Sequence, residues 1–272
     1  MSKPTSSPPY TILAAGYDFV MSHVDYDFWA DYIHHLLQRH HPDAHSVLEL
    51  GCGTGSLAMI LQPRGRYRYL ATDISEAMLN VARRKAVEEN VEVRFDLADF
   101  TEFNVDHPVD VVLLLYDGLN YLLDDAAIRS LMKSAFNALA PGGVFVVDQS
   151  TPSNSINNEP YFEHSDSVGI FSYVRRSLYD SESRLHSTIL ELQIDGEEFR
   201  EEHVQRAYET DEIEVLASEA GFEIEAAYDS FSTEPINTDT ERIHWILRRP
   251  RHSDIATQRH HDTTTQRHQD TH

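Results

Sequence analysis

Gly51, Gly53 and Gly55 recur at every second position in VLELGCGTGSL (47–57), and no other spacing in the chain points so directly to a ligand. Glycine takes positive φ without strain and lets a ligand lie against the main chain. The loop leaves a strand, SVLEL, and opens a helix. A dinucleotide fold would carry its third glycine where Ser56 stands, with a pyrophosphate on the helix N-terminus. Here the pattern is G-x-G-x-G, so whether the loop holds phosphate is open. Asp73 ends the next strand, YRYLAT (67–72) plus one residue. It can accept bonds from both hydroxyls of an adenosine ribose, or simply cap the helix that follows. Cys52 has no sequence neighbour that would activate a thiolate.

These residues need a scaffold, and the chain alternates to supply one. Strands are expected at SVLEL, YRYLAT, VEVRFDLA (91–98), VDVVLLLY (109–116) and VFVVDQ (144–149). Between them lie helix 56–62, stopped by Pro63, a helix capped by Ser75, and a strongly periodic helix carrying Ile128, Leu131, Met132, Ala135, Phe136 and Leu139. This order predicts a parallel sheet with helices on both faces. Before it, DYDFWADYIHHLLQRH (25–40) sets Trp29, Tyr32, Ile33, Leu36 and Leu37 on one helical stripe, with Asp25 able to cap.

After residue 150 the texture changes. STPSNSINNEP (150–160) reads as a loop, and GIFSYVRR, RLHSTILELQI and EFREEHVQRAY as three strands, the last two joined by an Asp195–Gly196 turn. Helix 211–220, capped by Thr210 or Asp211 and closed by Gly221, precedes an antiparallel closing pair, FEIEAAYDSF and ERIHWILRR. The fold class is therefore α/β: a Rossmann-like, doubly wound, mostly parallel seven-stranded sheet with a small antiparallel β lobe inserted after the fifth strand. The expected divisions are a disordered 1–9, N-terminal helices over the pocket at 10–45, the core at 46–150, the lobe at 151–210, the last helix and closing strands at 211–249, and a disordered His-rich tail at 250–272.

Charge narrows the partners. The net charge is −23, with 45 acids and only three lysines among 22 basic residues. Residues 151–249 hold 22 acids against 8 arginines, a net of −14. Such a surface repels a phosphate backbone and argues against nucleic-acid substrates. Adaptation to a salt-rich cytoplasm would produce the same acidity. With no apolar leader, no apolar run long enough to span a bilayer and one cysteine, a soluble cytoplasmic protein is expected, without membrane partner or metal site.

VLELGCGTG, ATDISEAML, ADF and LAPGGVFVVD, in this order and spacing, resemble the class I S-adenosylmethionine-dependent methyltransferases across residues 10–249. GYDFVMSHVDYDFWADYI (16–33) and LLLYDGLNYLL (113–123) are similar to a group of bacterial methyltransferases thought to act on small molecules. The resemblance implies S-adenosylmethionine as cofactor. Gly51, Gly53 and Gly55 would pass under its methionine part and ribose, with Glu49 orienting the loop. Asp73 would bind the ribose diol and Ile74 face the adenine. Asp99 would bond the adenine amino group between Ala98 and Phe100. Tyr116 would meet substrate and the moving methyl, and Tyr17, Tyr26 and Trp29 would close the pocket, although Trp29 on its stripe also reads as core.

No motif names the acceptor. Acceptor contacts are expected from Tyr116, Asp117, Asn120 and Tyr121 after the fourth strand, Gln149 and Ser150 after the fifth, and His203, Arg206 and Tyr208 in the lobe. Tyr116, Asp117 and His203 are the candidates for chemistry, though Asp117 could form a turn with Gly118 and His203 could be an exposed strand residue. The expected activity is methyl transfer to nitrogen or oxygen of a small molecule by a monomer or homodimer. A tRNA or protein methyltransferase, or a non-catalytic module binding the same cofactor, remains open.

Overall fold

A computed structural model describes residues 4–251. In chain order the strands are β1 (Thr5–Ser6), β2 (Ser46–Leu50), β3 (Arg68–Asp73), β4 (Arg94–Leu97), β5 (Val109–Leu114), β6 (Leu139–Ser150), β7 (Glu163–Val168), β8 (Phe171–Asp180), β9 (Leu185–Ile194), β10 (Glu197–Arg206), β11 (Glu223–Asp229) and β12 (Arg242–Arg248). The α-helices are α1 (Tyr17–Val20), α2 (Tyr26–His40), α3 (Ser56–Gly65), α4 (Glu76–Glu89), α5 (Asp125–Ala138), α6 (Pro152–Asn157) and α7 (Thr210–Glu219).

The core sheet runs β11-β12-β6-β5-β2-β3-β4, and only β12 is antiparallel to its neighbours. The strand order reverses between β2 and β5, so their carboxyl ends open a crevice, the usual ligand position of such sheets. One sheet face packs on α2 and α3 through Ile33, Leu36, Leu57 and Leu61, and the other on α5 and α7 through Ile128, Leu131, Ile213 and Leu216. From Val111 to Leu114 β5 is a continuous apolar run because both its faces are covered.

Local chemistry accounts for most boundaries. Asp25 caps α2 by accepting from Phe28 N at 2.9 Å, Ser75 caps α4, and Asp124 caps α5. Asp195 and Gly196 both have positive φ, as a tight hairpin between β9 and β10 requires. Four expectations need correction. Helix α3 runs through Pro63 to Gly65, at the loss of the one backbone bond that residue 63 would have donated to the Met59 carbonyl. Glu209, in a capping box with Glu212, caps α7 in place of Thr210 or Asp211. The presumed loop at 150–160 contains α6, started by Thr151 as cap and Pro152 at its first position.

The fourth correction concerns the lobe, which has five strands in the order β1-β10-β9-β8-β7. β7 reads EHSDSV and is exposed throughout, so it carries no alternation to find. β1 comes from the segment expected to be disordered and pairs in parallel with β10. The N-terminal segment then crosses the lobe, where Leu13 packs with Phe171, Tyr173, Leu190 and Leu192. The His-rich tail beyond residue 251 lies outside the described residues, and no helix among them is long and apolar enough to cross a membrane.

Gln149 is fully buried, accepting from Trp245 Nε1 at 2.8 Å and donating to the Tyr208 carbonyl at 2.6 Å. Its place is in the core rather than at the acceptor. Gln149→Leu therefore strands the indole N–H and should cost about 1–3 kcal/mol, measured by urea unfolding.

Candidate functional site

The glycine loop is built on three left-handed residues, with φ of 65° at Gly51, 56° at Gly53 and 73° at Gly55. At Gly55 a Cβ would also stand 2.9 Å from Phe95 and 3.1 Å from Ala82, so the helix could not approach β4 and α4 with any other residue. Asp73 organises the loop: Oδ2 accepts from Gly53 N at 2.8 Å and Oδ1 from Ser75 N at 2.8 Å. It anchors the loop and braces Ser75, the residue that caps α4, rather than capping the helix itself. Burial pushes its carboxyl upward, against the pull of those amides. Glu49 meets no loop amide; its Oε2 accepts from Tyr69 Oη at 2.7 Å.

The phosphate question turns on the start of α3. Asp18 of α1 accepts from Thr54 Oγ1 at 2.5 Å and pairs with Lys85 at 2.7 Å, while Lys85 reaches Ser56 Oγ at 2.8 Å. An Asp18–Lys85 ion pair thus occupies the Thr54 and Ser56 hydroxyls at the helix end where a dinucleotide fold would hold its pyrophosphate. The donor set that remains fits a nucleoside. Beyond Asp73 a cleft of about 500 Å³ is lined by Ile74, Leu97, Ala98, Asp99 and Phe103. Ile74 and Leu97 are 64% and 58% exposed, an apolar pair beside an acid and open to a flat ring. Asp99 spends Oδ1 on the amide and hydroxyl of Thr101, and Phe100 lies beside Gly51.

Tyr116 and Asp117 are consecutive left-handed residues, φ 59° and 61°. Asp148, at 0% exposure, holds both: its Oδ2 accepts from Tyr116 N and its Oδ1 from Asp117 N, each at 3.0 Å. Arg242 bonds Asp148 and lies 2.7 Å from Asp117 Oδ1. Burial pushes the Asp148 carboxyl up, and Arg242 draws it back. Tyr116 stacks on Trp29 at 4.1 Å between centroids, and its buried hydroxyl has no protein partner. Tyr26 lies 5.4 Å from the same ring. Trp29 is buried behind Tyr116, the position of a backing wall. Tyr17 reaches within 3.8 Å of the Cβ position of Gly53.

Among the acceptor candidates, Asn120 and Tyr208 are buried in structural bonds: Asn120 Nδ2 donates to the Ser150 and Arg206 carbonyls, Tyr208 Oη to Leu122 O. Ser150 Oγ accepts from Asn154, and Arg206 pairs with Glu212. His203 is buried, not an exposed strand residue, and meets Tyr121. Sequence reasoning missed Tyr10, Asp18, Asp148, Glu201 and Arg242. Asp148 alone carried a signal, a charge ending an apolar strand.

A family model described as a methyltransferase domain matches residues 47–143. YqeM of Bacillus subtilis (strain 168), provisionally named a methyltransferase, is 29% identical over 89% of this chain and 98% of its own. An S-adenosylmethionine-dependent methyltransferase from Clostridium acetobutylicum ATCC 824 superposes with a TM-score of 0.74 at 24% identity, over 88% of this chain and 98% of that one. CalS10 of Micromonospora echinaspora, an amino pentose methyltransferase solved with S-adenosylmethionine bound, gives 0.63 at 21% identity, covering 88% and 97%.

Glu49 supplies a test of the site's electrostatics. Burial pushes its carboxyl up to about 7, with Tyr69 the main opposing bond. A raised carboxyl is protonated in the fold where the unfolded chain is already ionised, so stability falls as pH rises from about 4.5 to 7. Glu49→Gln should remove a share of that slope on the order of 3 kcal/mol, read from urea unfolding at pH 4.5 and 7.5.

Proposed function

Because the chain is a class I S-adenosylmethionine-dependent methyltransferase, we propose that it methylates a nitrogen or oxygen of a small molecule, with an amine favoured. The observation that carries this reading is the roof over the crevice. Glu201 of β10 accepts the amides of Tyr10, Ile12 and Leu13, fastening the N-terminal segment to the lobe. α1 then crosses to the glycine loop through Asp18. Tyr10, Tyr17 and Tyr121 cluster under this roof, and Tyr26 packs on Tyr116 beside it, an aromatic setting for a small acceptor rather than a polymer.

The cofactor brings an activated methyl group and a good leaving group. The chain's residues align and exclude water, and orientation can be worth roughly 7–11 kcal/mol. Gly51, Gly53, Gly55 and Asp73 would hold the nucleoside and methionine parts, and Ile74, Ala98, Asp99 and Phe100 the base. Tyr116 would face the reacting atoms, its unpartnered hydroxyl free for the bound group. Burial holds the Tyr116, Tyr17 and Tyr26 hydroxyls above their ordinary range, so they stay neutral. The amino pentose acted on by CalS10 and the acidity of this chain both suit an amine acceptor.

Tritium-labelled S-adenosylmethionine, offered with a panel of amino sugar nucleotides, amino acids, polyamines and catechols and separately with bulk tRNA and protein, tests the reading. Label should enter an amine of the panel. Label entering tRNA or protein alone would contradict it.

A further inference from the structure

A line of polar side chains joins the roof to the lobe beside the cradle. Tyr10 Oη lies 2.5 Å from Tyr121 Oη, Tyr121 Oη 3.0 Å from His203 Nδ1, and His203 Nε2 3.3 Å from Glu201 Oε2. Glu201 and His203 are 0% and 4% exposed. The Tyr10 end stands at the cofactor cradle: its carbonyl accepts from Ser75 Oγ at 2.9 Å, and its ring meets that of Tyr17 at 6.0 Å.

With a neutral imidazole at His203, the last member of this line sets the direction of every bond. Burial pushes the Glu201 carboxyl up, but His203 and the amides of Leu13, Ile12 and Tyr10 outweigh it and hold it below the usual range. An ionised Glu201 only accepts, so His203 Nε2 carries a proton, and in the neutral ring Nδ1 then carries the lone pair. Tyr121 must then donate to Nδ1, and Tyr10 must donate to Tyr121. What remains is accepting capacity on the tyrosine oxygens, beside the Ser75 and Tyr17 side of the cradle.

We propose that the Tyr10–Tyr121–His203 line takes the proton from the methyl acceptor and that Glu201 positions His203 to receive it; the inference rests on the small-molecule reading. The acceptor's N–H or O–H bond breaks and its electron pair stays on the acceptor, free for the methyl group. Its proton goes to the Tyr10 oxygen as the Tyr10 proton passes to Tyr121 and the Tyr121 proton to Nδ1. Both phenols end neutral, and His203 ends as an imidazolium facing a carboxylate. Burial raises both phenols well above the ordinary range, so they pass a proton without keeping a charge. The other titratable groups around the line are Tyr17 and Asp73 near Tyr10, and Asp117 near both tyrosines. Across the strand pair, His203 faces the uncharged Thr188.

The test uses the full chain and the best-turned-over amine of the panel, with kcat measured from pH 5 to 9 in wild type, Tyr121→Phe and His203→Gln. Each variant should lose at least 30-fold in kcat at pH 7 and regain much of it by pH 9, where solvent deprotonates the amine. Affinity for S-adenosylhomocysteine should stay within threefold, which separates this loss from a damaged cradle. Variants that keep the wild-type kcat and pH profile overturn the relay. If the wild type binds S-adenosylhomocysteine but methylates no member of the panel, the small-molecule reading fails, and the relay is judged by ¹⁵N-histidine spectra of the same protein. A proton on His203 Nε2 that shifts to Nδ1 in Glu201→Gln supports it; a proton already on Nδ1 in the wild type overturns it.

Discussion

One buried carboxylate sets the geometry of the crevice. Asp148 lies near the end of β6 and holds the amides of Tyr116 and Asp117, two successive residues in the left-handed region. Each such non-glycine residue costs roughly 1–3 kcal/mol, so the pair needs a specific hold. Two hydrogen bonds to a charged group contribute about 1.5–3 kcal/mol each, which offsets the strain. Arg242, arriving from the antiparallel β12, neutralises the carboxylate and also pairs with Asp117. The turn of the chain after β5 therefore depends on the closing strand of the sheet. Tyr116 stands against Trp29 because of it.

The same economy recurs at three other buried acids, whose donors differ in number and kind. Glu201 receives three backbone amides and His203, and its carboxyl lies below the ordinary range. Asp73 receives the amides of Gly53 and Ser75, and burial still prevails. Glu49 has the Tyr69 hydroxyl and is pushed furthest of the three, to about 7. In a chain with 45 acids and three lysines, backbone amides take over much of what cations would do. Asp73 fastens the loop to the start of α4, Glu201 the roof to the lobe, Glu49 β2 to β3, and Asp148 the end of β5 to β12.

The core was legible because its signals are local. Gly51, Gly53 and Gly55, the cap residues Asp25 and Ser75, and the apolar period of α5 each specify their own backbone. The antiparallel closing pair and the Asp195–Gly196 turn were readable for the same reason. What escaped depends on long-range pairing. Glu201 and His203 sit on alternate positions of β10, and two polar residues at that spacing read as a solvent face until residues 10–13 cover them. β7 offers only polar residues, and β1 is too short to announce itself. Asp18 and Arg242 act across 36 and 94 residues of chain, respectively, distances that no local pattern encodes.

The central claim is that the glycine loop and Asp73 form a nucleoside cradle, with the Asp18–Lys85 pair occupying the hydroxyls at the helix end where a phosphate would bind. Calorimetric titration of S-adenosylhomocysteine, with NAD in parallel, into wild type and Asp73→Asn tests it most directly, since asparagine keeps one oxygen for the loop. Micromolar or tighter binding of S-adenosylhomocysteine, weakened tenfold or more in the variant, with no NAD binding, is the predicted result. Binding of NAD in its place, or an S-adenosylhomocysteine affinity indifferent to Asp73, would contradict it.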